Sequence, residues 1–224
     1  MNKTFFKSFI YLFLFSLIIS SCNGDEPEKT DAGVVIDGVR WATRNLASHG
    51  TFVENPEDFG GLFQWGRRGD GHEQRNSRTT SVRSTTDIPG HGDFIAFSGS
   101  AIFGDWRNPS NNNLWGNPKT ANDPCPAGWR VPTTDELEKL RDSSSEWTTV
   151  NGIYGRQFGT APNTLFLPAA GGRCEFAWGG VAYVGTHGSY WSSTPTRDLW
   201  FGNTAVSVGD GRRVLGLSVR CVAE

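Results

Sequence analysis

The sequence predicts an α+β domain of short, mostly antiparallel strands joined by long loops, with one or two helices. Two observations lead there. The 224 residues include 28 Gly and 11 Pro, a composition that interrupts regular elements. Only one stretch, Thr133 to about Asp142, has a helical start signal and a one-sided apolar stripe. No internal repeat is present.

From the N-terminus, Lys3 and Lys7 precede an apolar core, Phe9 to Ile19, which runs into Ser20-Ser21-Cys22. The core is shorter than the about 20 apolar residues a membrane-spanning helix needs. It has the layout of an export signal. Ile19-Ser20-Ser21-Cys22 resembles the lipobox of bacterial lipoproteins. That resemblance implies that residues 1–21 are a cleaved signal peptide and that Cys22 becomes the lipidated first residue. The lipid membrane is then a partner through the acylated cysteine, and the location is the outer membrane or cell surface. No second apolar run is long enough to span, so lipid is the only anchor expected. One acyl chain holds weakly, whereas the several chains of bacterial lipoproteins imply a permanent tether. Residues 22–33 are acidic and poor in apolar side chains, and read as a flexible leash. Acidic residues after the lipidated cysteine also resemble the surface-export signal of Bacteroidetes-type lipoproteins.

Residues 34–224 are expected to form one domain. Val34 to Trp41 reads as two short strands around the Asp37-Gly38 turn. Residues 67–93 and 108–122 lack periodicity and read as loops. Thr133 and Glu136 form a capping box, Pro132 stands just before, and Leu137 and Leu140 supply the apolar face. Thr164 to Ala169 reads as a buried strand. The chain is expected to end in a hairpin: Val206 to Val208, a Gly209-Asp210-Gly211 turn, then a strand from Val214 to Val222.

Beyond Cys22 the cysteines are Cys125, Cys174 and Cys221, which can pair in an oxidising compartment. In the last strand Leu215, Leu217, Val219 and Cys221 share one face, so Cys221 points inward. This favours a Cys125–Cys221 bond that staples the helix region to the final strand. The pairings Cys125–Cys174 and Cys174–Cys221 stay open.

Six ordered blocks are distinctive. They are Trp41-Ala42-Thr43-Arg44-Asn45-Leu46, Gly61 to Arg67, Asn122 to Leu137, Leu165 to Gly171, Tyr190-Trp191-Ser192-Ser193-Thr194 and Ser218-Val219-Arg220-Cys221-Val222. Together they resemble the Fibrobacter succinogenes major paralogous domain, a family of bacterial surface proteins. The likeness runs from about Val34 to Glu224. A looser likeness extends to the C-terminal domain of a collagen-like adhesin of Legionella. Both resemblances imply a C-type lectin-like fold, in which a helix-side cysteine meets one in the last strand. The chain departs from the family at Gly172, where a bulky residue is usual. Trp41, Trp65, Trp129 and Trp191 read as core.

The 21 Lys and Arg against 23 Asp and Glu leave a formal charge of −2, which makes no case for nucleic acid. The four histidines, His49, His72, His91 and His187, show no zinc spacing, and no nucleophile elbow or phosphate-cradling loop occurs. Asp70-Gly71-His72-Glu73 and His91-Gly92-Asp93 gather acid and imidazole, and read as solvated turns. The sugar-binding calcium motif of C-type lectins is absent, because Glu54-Asn55-Pro56-Glu57 does not match it. The expectation is therefore a non-catalytic surface-binding module with no cofactor and no metal, taking a glycan or protein ligand. Two surface features are candidates. Arg67, Arg68, Arg75, Arg78 and Arg83 form a basic stretch that would suit an anionic glycan. Trp178, following Phe176, and Trp115 are aromatic candidates for stacking on a sugar or anchoring a partner.

Overall fold

The computed structural model describes residues 31–96, 104–174 and 178–224. The expected signal peptide, Cys22, tether residues 22–30 and Phe176 lie outside the described residues. The domain starts at Asp31, earlier than the expected Val34. The Asp31 side chain is fully buried. It accepts hydrogen bonds from Thr43 N at 3.0 Å and Arg44 Nε at 3.3 Å, so residues 31–33 belong to the domain and not to the leash.

The architecture is the broad one expected, short and mostly antiparallel strands with a single helix among the described residues. Val34–Ile36 and Val39–Trp41 pair around a turn in which Asp37 and Gly38 both have positive φ. Val222–Ala223 and Trp129–Arg130 complete that sheet. A second sheet orders Asn163–Pro168, Ile153–Thr160 and Ser145–Val150. A third orders Gly180–Ala182, Gly172–Cys174, Gly216–Leu217 and Phe63–Gln64. A fourth orders Gly188–Trp191, Arg197–Phe201 and Val206–Asp210. Thr79–Thr80 and Phe94–Ile95 form a small parallel pair within the long loop region.

The helix spans Thr134–Asp142, with Thr133 as its cap and the reciprocal Glu136 bond present. Arg130 reinforces that end by gripping the Glu136 carboxylate at 2.6 and 2.8 Å. Leu137 and Leu140 are the buried face, as their spacing requires. They enter one of two apolar clusters, with Trp41, Phe158, Leu165, Leu199 and Phe201. The other cluster gathers Phe63, Trp65, Trp106, Trp115, Val131 and Trp191 around the Cys125–Cys221 disulfide. Cys174 is free. Trp41, Trp65 and Trp191 are buried core, and Trp129 is half-buried against it.

The final hairpin is not formed. Val206–Asp210 pairs with Arg197–Phe201 instead. Residues 214–222 split between two sheets: Gly216 pairs with Gln64 and Arg173, and Val222 pairs with Trp41 and Arg130. The inward row read from periodicity is correct, but the opposite row is buried too, with Ser218 and Arg220 at 0% and 1% exposure. A segment enclosed on both sides serves two sheets and is lost to a local hairpin.

In a chain this rich in loops, side chains do the work that strand ladders do elsewhere. Indole N–H groups bond distant carbonyls: Trp65 to Ser192, Trp106 to Trp65, Trp115 to Asn122 and Trp191 to Phe63. The Asp123 carboxylate accepts from Cys125 N and Val131 N, both at 2.9 Å, and so shapes the approach to the helix. Buried arginines close the remaining loops. Arg220 donates to Asn45 Oδ1, Ala42 O and Phe166 O. These bonds satisfy buried carbonyls that would otherwise remain desolvated and unpaired.

Candidate functional site

The arginine-rich stretch does not form a basic patch. Arg67 is fully buried, and its guanidinium reaches Asp70, Gln64, and the carbonyls of Asp93 and His91. Arg75 donates to Ala170 O at 2.7 Å and Arg83 to Arg107 O at 2.7 Å. Arg68 is half-buried. Arg78 alone of the five is exposed, and it pairs with Asp93 at 3.2 Å. Arg67 and Arg78 are spent on the loop's own acceptors and Arg75 and Arg83 on carbonyls of other segments, because irregular segments have many acceptors without a ladder partner.

Asp70, His72 and Glu73 are also not a solvated turn. His72 is 0% and Glu73 3% exposed. Their ligand-capable atoms lie within 4.8 Å of one another. The hydrogen bonds decide what they do. Gln64 N donates to His72 Nε2 at 3.0 Å, so Nε2 holds the lone pair and Nδ1 carries the proton toward Asp70 Oδ1 at 2.7 Å. Glu73 Oε2 accepts from Asp70 N and Gly71 N. A cation at Nδ1 would require a proton on Nε2 facing the Gln64 N–H, so the triad serves as a loop clasp. Burial pushes the His72 imidazole down to about 4, which keeps it neutral.

Trp115 is 2% exposed, with its ring 5.7 Å from Trp65. It is core and presents no face to a ligand. Trp178 is 79% exposed at a φ of +51°, an uncommon backbone conformation for a bulky residue. It stands at the turn between Gly172–Cys174 and Gly180–Ala182.

The structure brings together a different set of aromatics. The hairpin of Ser145–Val150 and Ile153–Thr160 carries Trp147 and Tyr154, whose rings stack 6.1 Å apart at 12°. Facing them is the loop from Tyr183 to His187. The His187 ring lies 5.2 Å from Tyr183 and 5.3 Å from Trp200. Between hairpin and loop is an open groove of about 280 Å³, lined by Trp147, Tyr154, Gly185, Thr186, His187 and Asn203. Of the lining rings Tyr154 is 53% exposed, and Tyr183 and Trp200, which flank His187, are 62% and 37% exposed.

The groove is built from recognisable sequence. Val150-Asn151-Gly152-Ile153 makes the hairpin turn, with φ of +48° at Asn151 and +82° at Gly152. That Asn-Gly pair was a legible signal that sequence reading passed over. The opposite wall rests on the Pro168-Ala169-Ala170-Gly171 run: Gly185 N donates to Ala169 O, and Ala169 N to Tyr154 O. A Cβ on Gly171 would lie 2.1 Å from Ala182 O, so only glycine lets the Tyr183 loop close down. Arg156 holds the carbonyls of Gly202 and Asn203, which places Asn203 on the rim.

A larger pocket of about 410 Å³ lies elsewhere, lined by Asp105, Thr196, Asp210, Gly211, Arg212 and Arg213 among others. Its charges are committed: Arg213 pairs with Asp105 and Asp210 with Arg197. Behind Gly211 sits Asp198, 8% exposed, with its carboxyl pushed up to about 7 by burial while the Arg197 charge opposes the shift. The folded protein therefore keeps the Asp198 proton over a pH range in which the unfolded chain, with an ordinary 3.8, has released it. Stability from this group is present below about 4 and is lost as pH rises toward 7. His72 acts in the opposite sense over a similar range, since its folded pKa lies below its unfolded one. Asp198→Asn should therefore gain melting temperature on the parent as pH rises from 4 to 8. A difference that stays flat across that range would contradict the assignment.

No family model, curated protein or solved structure matches the chain. No helix among the described residues is long and apolar enough to cross a membrane.

Proposed function

We propose that this chain is a non-catalytic binding module displayed on a bacterial cell surface through a lipidated Cys22, related to the major paralogous domain family and built on a C-type lectin-like scaffold. The observation that carries the binding reading is the aromatic groove. Rings that are more than a third exposed, held in place by stacked neighbours and flanked by polar side chains, suit recognition better than packing. The disulfide and the oxidising compartment implied by the export signal support the same location. Acid–base chemistry finds little support in the side chains: His72 is enclosed, and Asp198 lies behind Gly211 with its neighbouring carboxylate, Asp210, paired to Arg197.

A second reading, an accessory subunit of a surface assembly, is favoured by one observation. Trp178 projects from a turn with no packing partner to account for it among the described residues. A single exposed Trp of this kind suits a protein contact.

Metabolic labelling with an alkyne fatty acid in cells making the full chain tests the display. Label on the protein that disappears in Cys22→Ala, together with protease accessibility on whole cells, is the expected result. An unlabelled protein recovered in the soluble fraction would overturn the lipoprotein reading.

A further inference from the structure

We infer that the groove between the 145–160 hairpin and the 183–187 loop takes an uncharged saccharide, its ring face on Tyr154 and its hydroxyls on Asn203, Thr186 and His187. This deepens the binding-module reading and rests on it.

The lining chemistry selects the ligand class. The groove wall offers aromatic faces, a hydroxyl, an amide and an imidazole, and includes neither carboxylate nor guanidinium. An anionic glycan would enter without a counter-charge and forfeit its strongest hydrogen bonds. A purely apolar peptide would cover the Asn203 amide and His187 Nε2 and leave these polar atoms unpaired. A neutral sugar ring has an apolar C–H face and a hydroxylated edge, which matches both halves of the surface. The volume of about 280 Å³ falls just below the roughly 300–1,000 Å³ typical of sites for drug-sized ligands, which suits one or two sugar rings.

The polar atoms are set up to receive hydroxyls. Thr186 Oγ1 donates to Tyr183 O at 2.9 Å, so it must accept from His187 Nδ1, also at 2.9 Å. That assigns the ring proton to Nδ1 and leaves His187 Nε2 as an acceptor. The Asn203 amide is exposed, and its backbone is held by Arg156.

The aromatics are preorganised. Trp147 fixes the plane of Tyr154, and His187 is wedged between Tyr183 and Trp200. Tyr183 adopts a φ of +64° while 62% exposed. A non-glycine residue held there is strained. The surrounding turn, in which Thr186 N and His187 N both donate to Tyr183 O, maintains that conformation and projects the ring outward. Rings already fixed lose little entropy on binding.

The test is a glycan array followed by titration calorimetry on the purified protein, with neutral oligosaccharides (gluco-, manno-, galacto- and xylo-hexaoses) and the charged polymers heparin and polygalacturonate. At least one neutral oligosaccharide should bind. Tyr154→Ala and Asn203→Ala should each weaken it at least tenfold without lowering the melting temperature by more than a few degrees. Arg78→Ala, outside the groove, should bind as the parent does. Neutral-sugar binding that survives both groove variants would overturn the site and leave the binding-module reading standing. Binding confined to the charged polymers would overturn the ligand class. Binding of no glycan, alongside a protein partner lost in Trp178→Ala, would overturn the saccharide proposal in favour of the assembly reading. Absence of any ligand would count against both.

Discussion

Arg173→Met should lower the unfolding free energy by about 3 kcal/mol or more, and the melting temperature by roughly 6–12 °C for a domain of this size. Arg173 is 2% exposed in the strand Gly172–Cys174. Its guanidinium donates to the carbonyls of Gly179, His72, Gln74 and Ser77 and to Ser77 Oγ. It also lies 4.0 Å from the Phe94 ring centroid. One side chain thus joins the 72–77 loop, the 174–179 turn and the small parallel strand pair. Methionine matches its length but supplies no donor, so several buried carbonyls would be left desolvated and unpaired, each costing about 1–3 kcal/mol in isolation. No carboxylate among the described residues is bonded to this guanidinium, and burial pushes its pKa down to about 10. Arg173→Lys should therefore recover little. It keeps the charge but loses the planar fork that reaches carbonyls on both sides. Chemical denaturation of the two variants checks this. A loss below about 1 kcal/mol in Arg173→Met would mean that water replaces the guanidinium without penalty.

Removing the disulfide should cost a similar or larger amount. The Cys125–Cys221 bond closes a loop with a sequence separation of 96 residues. The chain-entropy model gives about 4–5 kcal/mol for a loop of that length, and natural disulfides in exported domains give about 2–5 kcal/mol when removed. Both sulfurs lie in the tryptophan-rich core, with Cys125 4% and Cys221 0% exposed. Cys125→Ala with Cys221→Ala should shift the denaturation midpoint by that amount, while Cys174→Ser should leave it within about 0.5 kcal/mol. If reductant leaves the parent's midpoint unchanged, the bond does not form in the native protein.

These two variants separate what was legible from what was not. The inward side of Cys221 followed from alternation along residues 215–221, because inward and outward positions of an extended segment are a local property, while the structure decided its partner. The helix followed from Thr133, Glu136, Leu137 and Leu140 for the same reason, as did the turn at Asp37-Gly38. Arg173 gave no such sign. It sits in a glycine-rich stretch without periodicity, and its five acceptors are 6 to 101 residues away. Trp115 and Trp178 are the same residue type in similar loop contexts, yet one is 2% and the other 79% exposed. Arg67 and Arg78 diverge in the same way.

By itself the sequence determined the mixed strand-and-loop architecture, the capped helix and the first turn, favoured one of three cysteine pairings, and led to expectations of export and surface display. Those features depend on neighbours within a few positions, where residue type and spacing carry the physics. Only the tertiary structure decided that Arg67 and Arg75 are scaffolding, that the closing segment is shared by two sheets, and that Trp147, Tyr154 and His187 meet at a groove. Whether a cation or a ring reaches solvent depends on which distant carbonyls and side chains fold against it, and no local pattern encodes that.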